Sequence, residues 1–244
     1  MTATESLMQV RVKRISYEAE SINSYELVAP TGGNLAPFTA GSHIDLYLAH
    51  GMIRSYSLVN DQSEQSRYVI AVNKDAASRG GSRFVHETLR AGDVITISHP
   101  RNNFALQENA RHSVLIAGGI GITPLLSMIR RLEALGRSWE LFYAARTRLA
   151  AAFLDQLNGL QPKACANLHL NFDHEPSGRL FDLTAITRDA PQIDGLTGSK
   201  LERVSICEIK IIAQGKNGQI HLGSAFVLPA APLHPLCRSH RSRH

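Results

Sequence analysis

Between residues 113 and 136 the sequence passes from a continuous apolar run, through a glycine-rich turn, into an amphipathic stretch. That order constrains the fold more tightly than any other part of the chain. Ser113-Val114-Leu115-Ile116-Ala117 lacks the alternation of a half-exposed strand, as expected when both faces of a parallel sheet are covered. It runs into Gly118-Gly119-Ile120-Gly121-Ile122-Thr123-Pro124. Glycines there let the backbone turn tightly and approach a pyrophosphate with no Cβ in the way, a helix N-terminus standing behind it. Pro124 fits the first turn of that helix, and Thr123 supplies a hydroxyl at its start. Leu125, Met128, Ile129 and Leu132 recur on one face up to Leu135, with Arg130 and Arg131 outside and Gly136 as the stop. A strand over Glu140 to Ala145, a helix over Leu149 to Leu157 and a strand over Leu168 to Phe172 follow. The βαβαβ order is that of a doubly wound α/β nucleotide-binding unit, set at residues 110–195.

Ahead of this unit the periodicity is two. Strands are expected over Met8 to Glu18, Ile22 to Val28, His43 to Leu48, Met52 to Val59, Arg67 to Val72 and Val94 to Ser98, with turns such as Gly32-Gly33-Asn34 between them. Short strands at this spacing make an antiparallel β-barrel or sandwich over about residues 6–105. Within it, Arg54-Ser55-Tyr56-Ser57-Leu58 places Arg54 and Tyr56 on one face of a strand and Ser55 and Ser57 on the other. A forked cation beside a phenol suits a flat, anionic, aromatic ligand, and the Ser57 hydroxyl can donate to a ring nitrogen. The same residues also suit an edge strand with a solvated Arg and Tyr. Ser78-Arg79-Gly80-Gly81-Ser82 precedes a helical stretch, Phe84 to Leu89. Exposed N–H groups of Gly80, Gly81 and Ser82, a helix dipole and a hydroxyl make a phosphate site there, with Arg79 as added charge. A plain glycine turn is the alternative.

Composition narrows the partners. The net charge of +5 resides wholly in Lys210, Lys216, Arg238, Arg241 and Arg243, since no acidic residue follows Glu208. Residues 1–208 are formally neutral, which argues against a nucleic-acid partner. No apolar run approaches the roughly 20 residues of a membrane span, and the first residues lack the pattern of a secretory signal. Three widely spaced cysteines, Cys165, Cys207 and Cys237, fit a reducing cytoplasm. His234, His240 and His244 are expected to belong to a disordered basic tail, and no metal site is expected.

Taken together, Arg54 to Leu58, Ser78 to Ser82, His86-Glu87-Thr88-Leu89 with Gly92-Asp93, Pro100-Arg101-Asn102-Asn103-Phe104, and Gly118 to Pro124 resemble the ferredoxin–NADP reductase superfamily. Residues 8–190 look most like its FMN-containing oxygenase reductases, of the phthalate dioxygenase reductase and vanillate O-demethylase type. The resemblance implies a flavin-binding antiparallel barrel followed by a doubly wound α/β domain, the ferredoxin reductase-like arrangement. It implies FMN held by Arg54, Tyr56 and Ser57, with its phosphate on Gly80, Gly81 and Ser82. NADH, with NADPH as the alternative, would lie on Gly118, Gly119, Gly121 and Thr123, and Arg146 would meet the adenosine side. Ser57 and Thr123 are the residues expected nearest the chemistry. Hydride would pass from nicotinamide to flavin, and single electrons onward to an iron–sulfur centre.

Two features depart from that family. The superfamily's Cys-Gly-Pro strand is missing, and Cys207 in Ser205-Ile206-Cys207-Glu208 is a poor substitute. The family's C-terminal 2Fe-2S domain needs four thiolates, whereas only Cys207 and Cys237 follow residue 195. Residues 196–244 are therefore set apart as an atypical segment, the product of a frameshift or of divergence, with candidate strands at Val204 to Ala213 and Gln219 to Val227. A missing sheet strand would bare an apolar edge. Three functions remain open. The first is the reductase component of an aromatic-ring oxygenase or demethylase, a monomer passing electrons to a terminal oxygenase or a separate ferredoxin. The others are a freestanding flavin or ferredoxin reductase, and a flavin-binding remnant without turnover.

Overall fold

A computed structural model describes residues 7–75, 80–110, 112–160, 166–178, 181, 207–214 and 220–227. Arg79, Cys165, Cys237 and the three tail histidines lie outside the described residues. Six strands form the first sheet: β1 (Leu7–Ala19), β2 (Ile22–Val28), β3 (His43–Tyr47), β4 (Ile53–Ser57), β5 (Tyr68–Asn73) and β6 (Val94–Ser98). Their order is β4-β3-β6-β1-β2-β5, all antiparallel. Past β4 the chain bends onto β5 through the Leu58–Ile70 bridge and the Val59 N–H to Val69 carbonyl bond (2.8 Å), which curls the sheet into a barrel. Period-two patterning turns Val10, Val12, Leu27, Ile44, Leu46, Ile70 and Ile97 inward, where none is more than 1% exposed.

Helix α1 (Gly81–Thr88) packs across this barrel. Val85 is fully buried in the barrel core, and its carbonyl accepts the Tyr25 hydroxyl (3.3 Å). His86 lies edge-on to Tyr25 and bonds the Val72 carbonyl through Nε2 (2.8 Å). A buried aliphatic residue and two directional polar contacts therefore fix how the helix packs on the barrel.

The second sheet has the order β11-β10-β7-β8-β9. Here β7 is His112–Gly118, β8 Ser138–Ala145, β9 Ala166–Phe172, β10 Cys207–Gln214 and β11 Ile220–Val227. β9, β8, β7 and β10 run parallel, and β11 is antiparallel to β10. Helix α2 (Ile122–Leu135) ends at Gly136, which takes the left-handed conformation (φ 63°). The helix expected over Leu149 to Leu157 is instead a 3₁₀ turn, Arg148–Ala150, and a short α3, Leu154–Gly159. Phe153 breaks it: the residue adopts φ 64° while its ring and the two alanines before it are pulled into the core. The Thr147 hydroxyl accepts the Ala150 N–H and pins the turn (3.2 Å). No helix among the described residues is long and apolar enough to cross a membrane.

Both strands anticipated in the atypical segment join this sheet. The edge of β7 that a missing strand would have bared is paired with β10 from Cys207–His112 to Ile212–Ala117.

One apolar cluster spans the two sheets. Ala19, Ile22, Ala40, Val59 and Ala71 of the barrel side pack with Leu125, Met128 and Ile129 of α2. At its centre is Gly41 (φ 94°), whose N–H donates to Ser127 Oγ (3.2 Å). A Cβ at Gly41 would lie 2.1 Å from the Phe104 carbonyl oxygen and 2.8 Å from Met128 Cε. Asn102 holds the same turn by donating to the Ala40 carbonyl (3.0 Å).

Candidate cofactor site

β4 stands at the end of the first sheet, so one edge of it is not part of the ladder. His43 exchanges both backbone bonds with Arg101 (2.9 Å each), which makes His43–Ser57 a non-hydrogen-bonded pair in the β3–β4 ladder. Alternation then points the N–H and C=O of Ser55 and Ser57 toward the outer edge. That edge presents backbone donors and acceptors, with Tyr56 on one face of the strand and Ser57 on the other. Tyr56 packs against the barrel core, and burial pushes its phenol up to about 12 against the pull of the Arg54 charge. At neutral pH the ring is uncharged and its hydroxyl is a donor.

The Ser55/Ser57 face carries a polar group that sequence reasoning did not assign. Asp45, 8% exposed, accepts from Ser55 Oγ (2.5 Å) and from Arg101. Burial opposes ionisation of Asp45, but the Ser55 and Arg101 hydrogen bonds and the Arg101 charge outweigh it and hold the carboxyl below its ordinary range. Burial, reinforced by the Arg101 charge and only partly offset by Asp45, keeps His43 below the usual histidine value. The signal was present in the sequence as polar residues at alternate positions of β3, His43 and Asp45.

Arg54 and the glycine pair, 27 positions apart, come together. An added Cβ on Gly81 would stand 2.4 Å from Arg54 Nε and 2.7 Å from its Cγ, so the arginine stem lies against the first residue of α1. Gly80 precedes it in the left-handed conformation (φ 95°), with Met52 Sδ 3.6 Å from where its Cβ would be. Ser82 Oγ accepts the Asp75 N–H (3.4 Å). A guanidinium thus lies against the positive end of a helix, and no side chain stands between them. Arg54 also donates to the Ile53 carbonyl (2.8 Å), and a helix N-terminus beside a guanidinium is a favourable place for an anion.

The other glycines form a second helix start. β7 ends at Gly118, a 3₁₀ turn covers Gly119–Gly121 with Gly119 at φ 52°, and α2 follows directly. Thr123, 6% exposed, donates its hydroxyl to the Ile120 carbonyl (3.0 Å), leaving only its oxygen lone pairs for a ligand. Strand order reverses between β7 and β10, so the crevice at their C-terminal ends is the switch point where open α/β sheets bind ligands. Ala213 and Gln214 end β10 at that level; Cys207 pairs with His112 at the opposite end of the strands, away from the glycine turn. Arg146, exposed after β8, holds its loop by accepting the His174 N–H on its carbonyl (2.8 Å).

The end of β4 is tied to the start of α2. Leu58, next to Ser57, donates its N–H to Ser42 (2.9 Å); Gly41 donates to Ser127; and Ser127 Oγ donates to Pro124 O in the first turn of α2 (2.9 Å). Three hydrogen bonds carry the chain of contacts from the β4 edge to the glycine turn.

Comparison with known proteins finds no matching family model. The chain is 50% identical over 192 residues to tetrachlorobenzoquinone reductase of Sphingobium chlorophenolicum, covering 79% of this chain and 59% of that protein. It is 45% identical over 177 residues to vanillate O-demethylase oxidoreductase of Pseudomonas putida, covering 72% and 54%. The solved structure of phthalate dioxygenase reductase, described as modular and as transferring electrons from pyridine nucleotides to a 2Fe-2S centre, matches with a TM-score of 0.69. That match is 38% identical and covers 75% of this chain and 57% of that one. The chain spans less than two thirds of the length of these relatives.

Proposed function

We propose, from its likeness to phthalate dioxygenase reductase and vanillate O-demethylase oxidoreductase, that the chain belongs to their ferredoxin reductase-like family and is an NADH-dependent FMN oxidoreductase. It serves as the reductase component of an aromatic-ring oxygenase or demethylase in the cytoplasm. The observation that carries the reading is Gly81 packed against Arg54 at the start of α1, where any Cβ would collide with the arginine side chain. An arginine lying against a helix start suits a terminal phosphate monoester, which favours FMN.

The chemistry that such a flavin supplies when bound is hydride acceptance followed by single-electron release. Around it, Arg54 with Gly80, Gly81 and Ser82 holds the phosphate, and Tyr56 gives the ring an uncharged aromatic surface. The Ser57 hydroxyl and the outward backbone groups of β4 orient the ring edge. The Asp45–Arg101 pair keeps that edge in place by engaging Ser55. Gly118, Gly119 and Gly121 admit the pyrophosphate of the nicotinamide dinucleotide at the start of α2, and Arg146 meets its adenosine side. With its proton committed to Ile120, Thr123 acts by holding the turn in shape. The electron acceptor belongs to a partner, a terminal oxygenase component or a separate ferredoxin. The pairing of β10 with β7 supports turnover over a flavin-binding remnant.

Anaerobic titration of FMN-reconstituted protein with NADH, followed by visible absorbance, tests the proposal. Bleaching of bound flavin near one equivalent is expected, with a weaker response to NADPH. Failure to take up flavin would overturn the β4–α1 assignment, and bound flavin that NADH leaves oxidised would overturn the assignment of the glycine turn.

A further inference from the structure

A cavity of about 220 Å³ lies between the barrel and the helices of the second sheet, apart from both glycine-bearing helix starts. β1 and β2 supply Arg14, Glu18 and Glu26, the segment around β5 supplies Arg67, and α2 and α3 supply Arg130 and Gln156. Arg130 lies eight residues past the first residue of α2, about 12 Å along the helix at its rise per residue. The volume holds about seven waters or one benzoate-sized molecule.

The charges are unevenly satisfied. Glu26, 7% exposed, is already bonded by Lys13 and Arg67 at 3.0 Å each. Glu18 accepts from Ser24 Oγ (2.6 Å), and burial, exceeding the effect of that bond, raises its carboxyl toward the neutral form. Opposite them, Arg130 donates to Gln156 Oε1 (2.7 Å), but its buried Nε has no hydrogen-bond partner among the described residues. A guanidinium N–H shut away from water without an acceptor is costly, and a bound anion or water is the usual reason that one persists. Val59, Val69 and Phe153 add an apolar wall. Phe153 holds that position at φ 64°, a conformation that a bulky residue adopts only when its surroundings impose it.

We propose that this junction cavity is a binding site for a small organic carboxylate, its charged end on Arg130 and Arg14 and its body against Phe153, Val59 and Val69. Such an occupant touches the barrel and both helices at once, so binding stabilises the docking of the two halves. The site is independent of flavin and nucleotide, and its failure leaves their assignment untouched.

The test is isothermal titration of the full chain with sodium benzoate at fixed ionic strength, with neutral benzamide and inorganic phosphate as comparators. Saturable one-site binding of benzoate is expected, weakened about tenfold in Arg130→Gln and in Arg14→Gln by loss of a charge-assisted bond. Arg14 is exposed, so Arg14→Gln reports on binding even if Arg130→Gln fails to fold. Absence of saturable heat, equal binding of benzamide or of phosphate, or native affinity in Arg14→Gln would each overturn the proposal.

Discussion

The starts of α1 and α2 use the same device in different electrostatic settings. A glycine with positive φ stands directly before α1 (Gly80) and three residues before α2 (Gly119, with Gly121 between them in helical conformation), and each start is backed by a helix dipole. At α1 an arginine from a distant strand is folded against the first residue. At α2 the first turn holds no charged residue, and Ile122 through Ile129 are all buried. A terminal phosphate, carrying close to two charges, needs the added cation; a pyrophosphate bridging two nucleosides is served by backbone and dipole. Helix geometry supplies a general anion site, and what the tertiary structure brings beside it decides which anion.

Breaking the packing of Arg54 on Gly81 at α1 should have the largest effect on this contrast. Gly81→Val places side-chain atoms where Arg54 now lies, and the arginine can swing into solvent. Flavin affinity should fall about a hundredfold, while the denaturation midpoint changes little, because a mobile side chain yields rather than backbone. Fluorescence titration of FMN alongside a urea melt checks both. Unchanged affinity would mean that the two helix starts do not differ in the way described.

Gly119→Val attacks the other start. A β-branched residue at φ 52° costs about 1–3 kcal/mol, so KM for NADH should rise about tenfold with flavin content unaltered. Steady-state kinetics on flavin-loaded protein separate this outcome from a general loss of fold. Thr123→Val is gentler. It removes the bond to Ile120 and should cost about 1 kcal/mol of stability. If Thr123 shapes the turn without touching the reacting atoms, kcat stays within about a factor of three; a much larger drop would assign it a direct role.

The smallest expected effect concerns His43 of β3, the partner of Ser57 on the polar face. With His43 held below 6.5, the unfolded chain binds more protons than the folded chain just under that pH. The stability that His43 contributes is therefore complete above 6.5 and is lost as pH falls toward its folded value. His43→Gln should flatten the dependence of the urea midpoint on pH in that interval; an unchanged slope would place its source in another group.

Local chemistry made much of this molecule legible in the sequence. Strand β2 and strand β6 coincide with the expected ranges, since alternation and flanking turn residues are properties of a few neighbouring positions. So is the sequence around Gly118 to Pro124, where strand, turn and helix are contiguous. The break at Phe153 was not legible, because its cause is burial of that ring against a sheet formed by other parts of the chain. The partnership of Asp45 with Ser55 and Arg101 likewise depends on three segments meeting.

By itself, then, the sequence determined two periodicities, two glycine-led helix starts and the family likeness they carry. Only the tertiary structure decided that Arg54 closes over Gly81, that Gly41 leaves no room for a side chain between the halves, and that β10 pairs with β7. Backbone preference and patterning act over a turn or a strand. Contact, burial and the charge that one segment lends another depend on where distant segments come to rest, and no local rule encodes that.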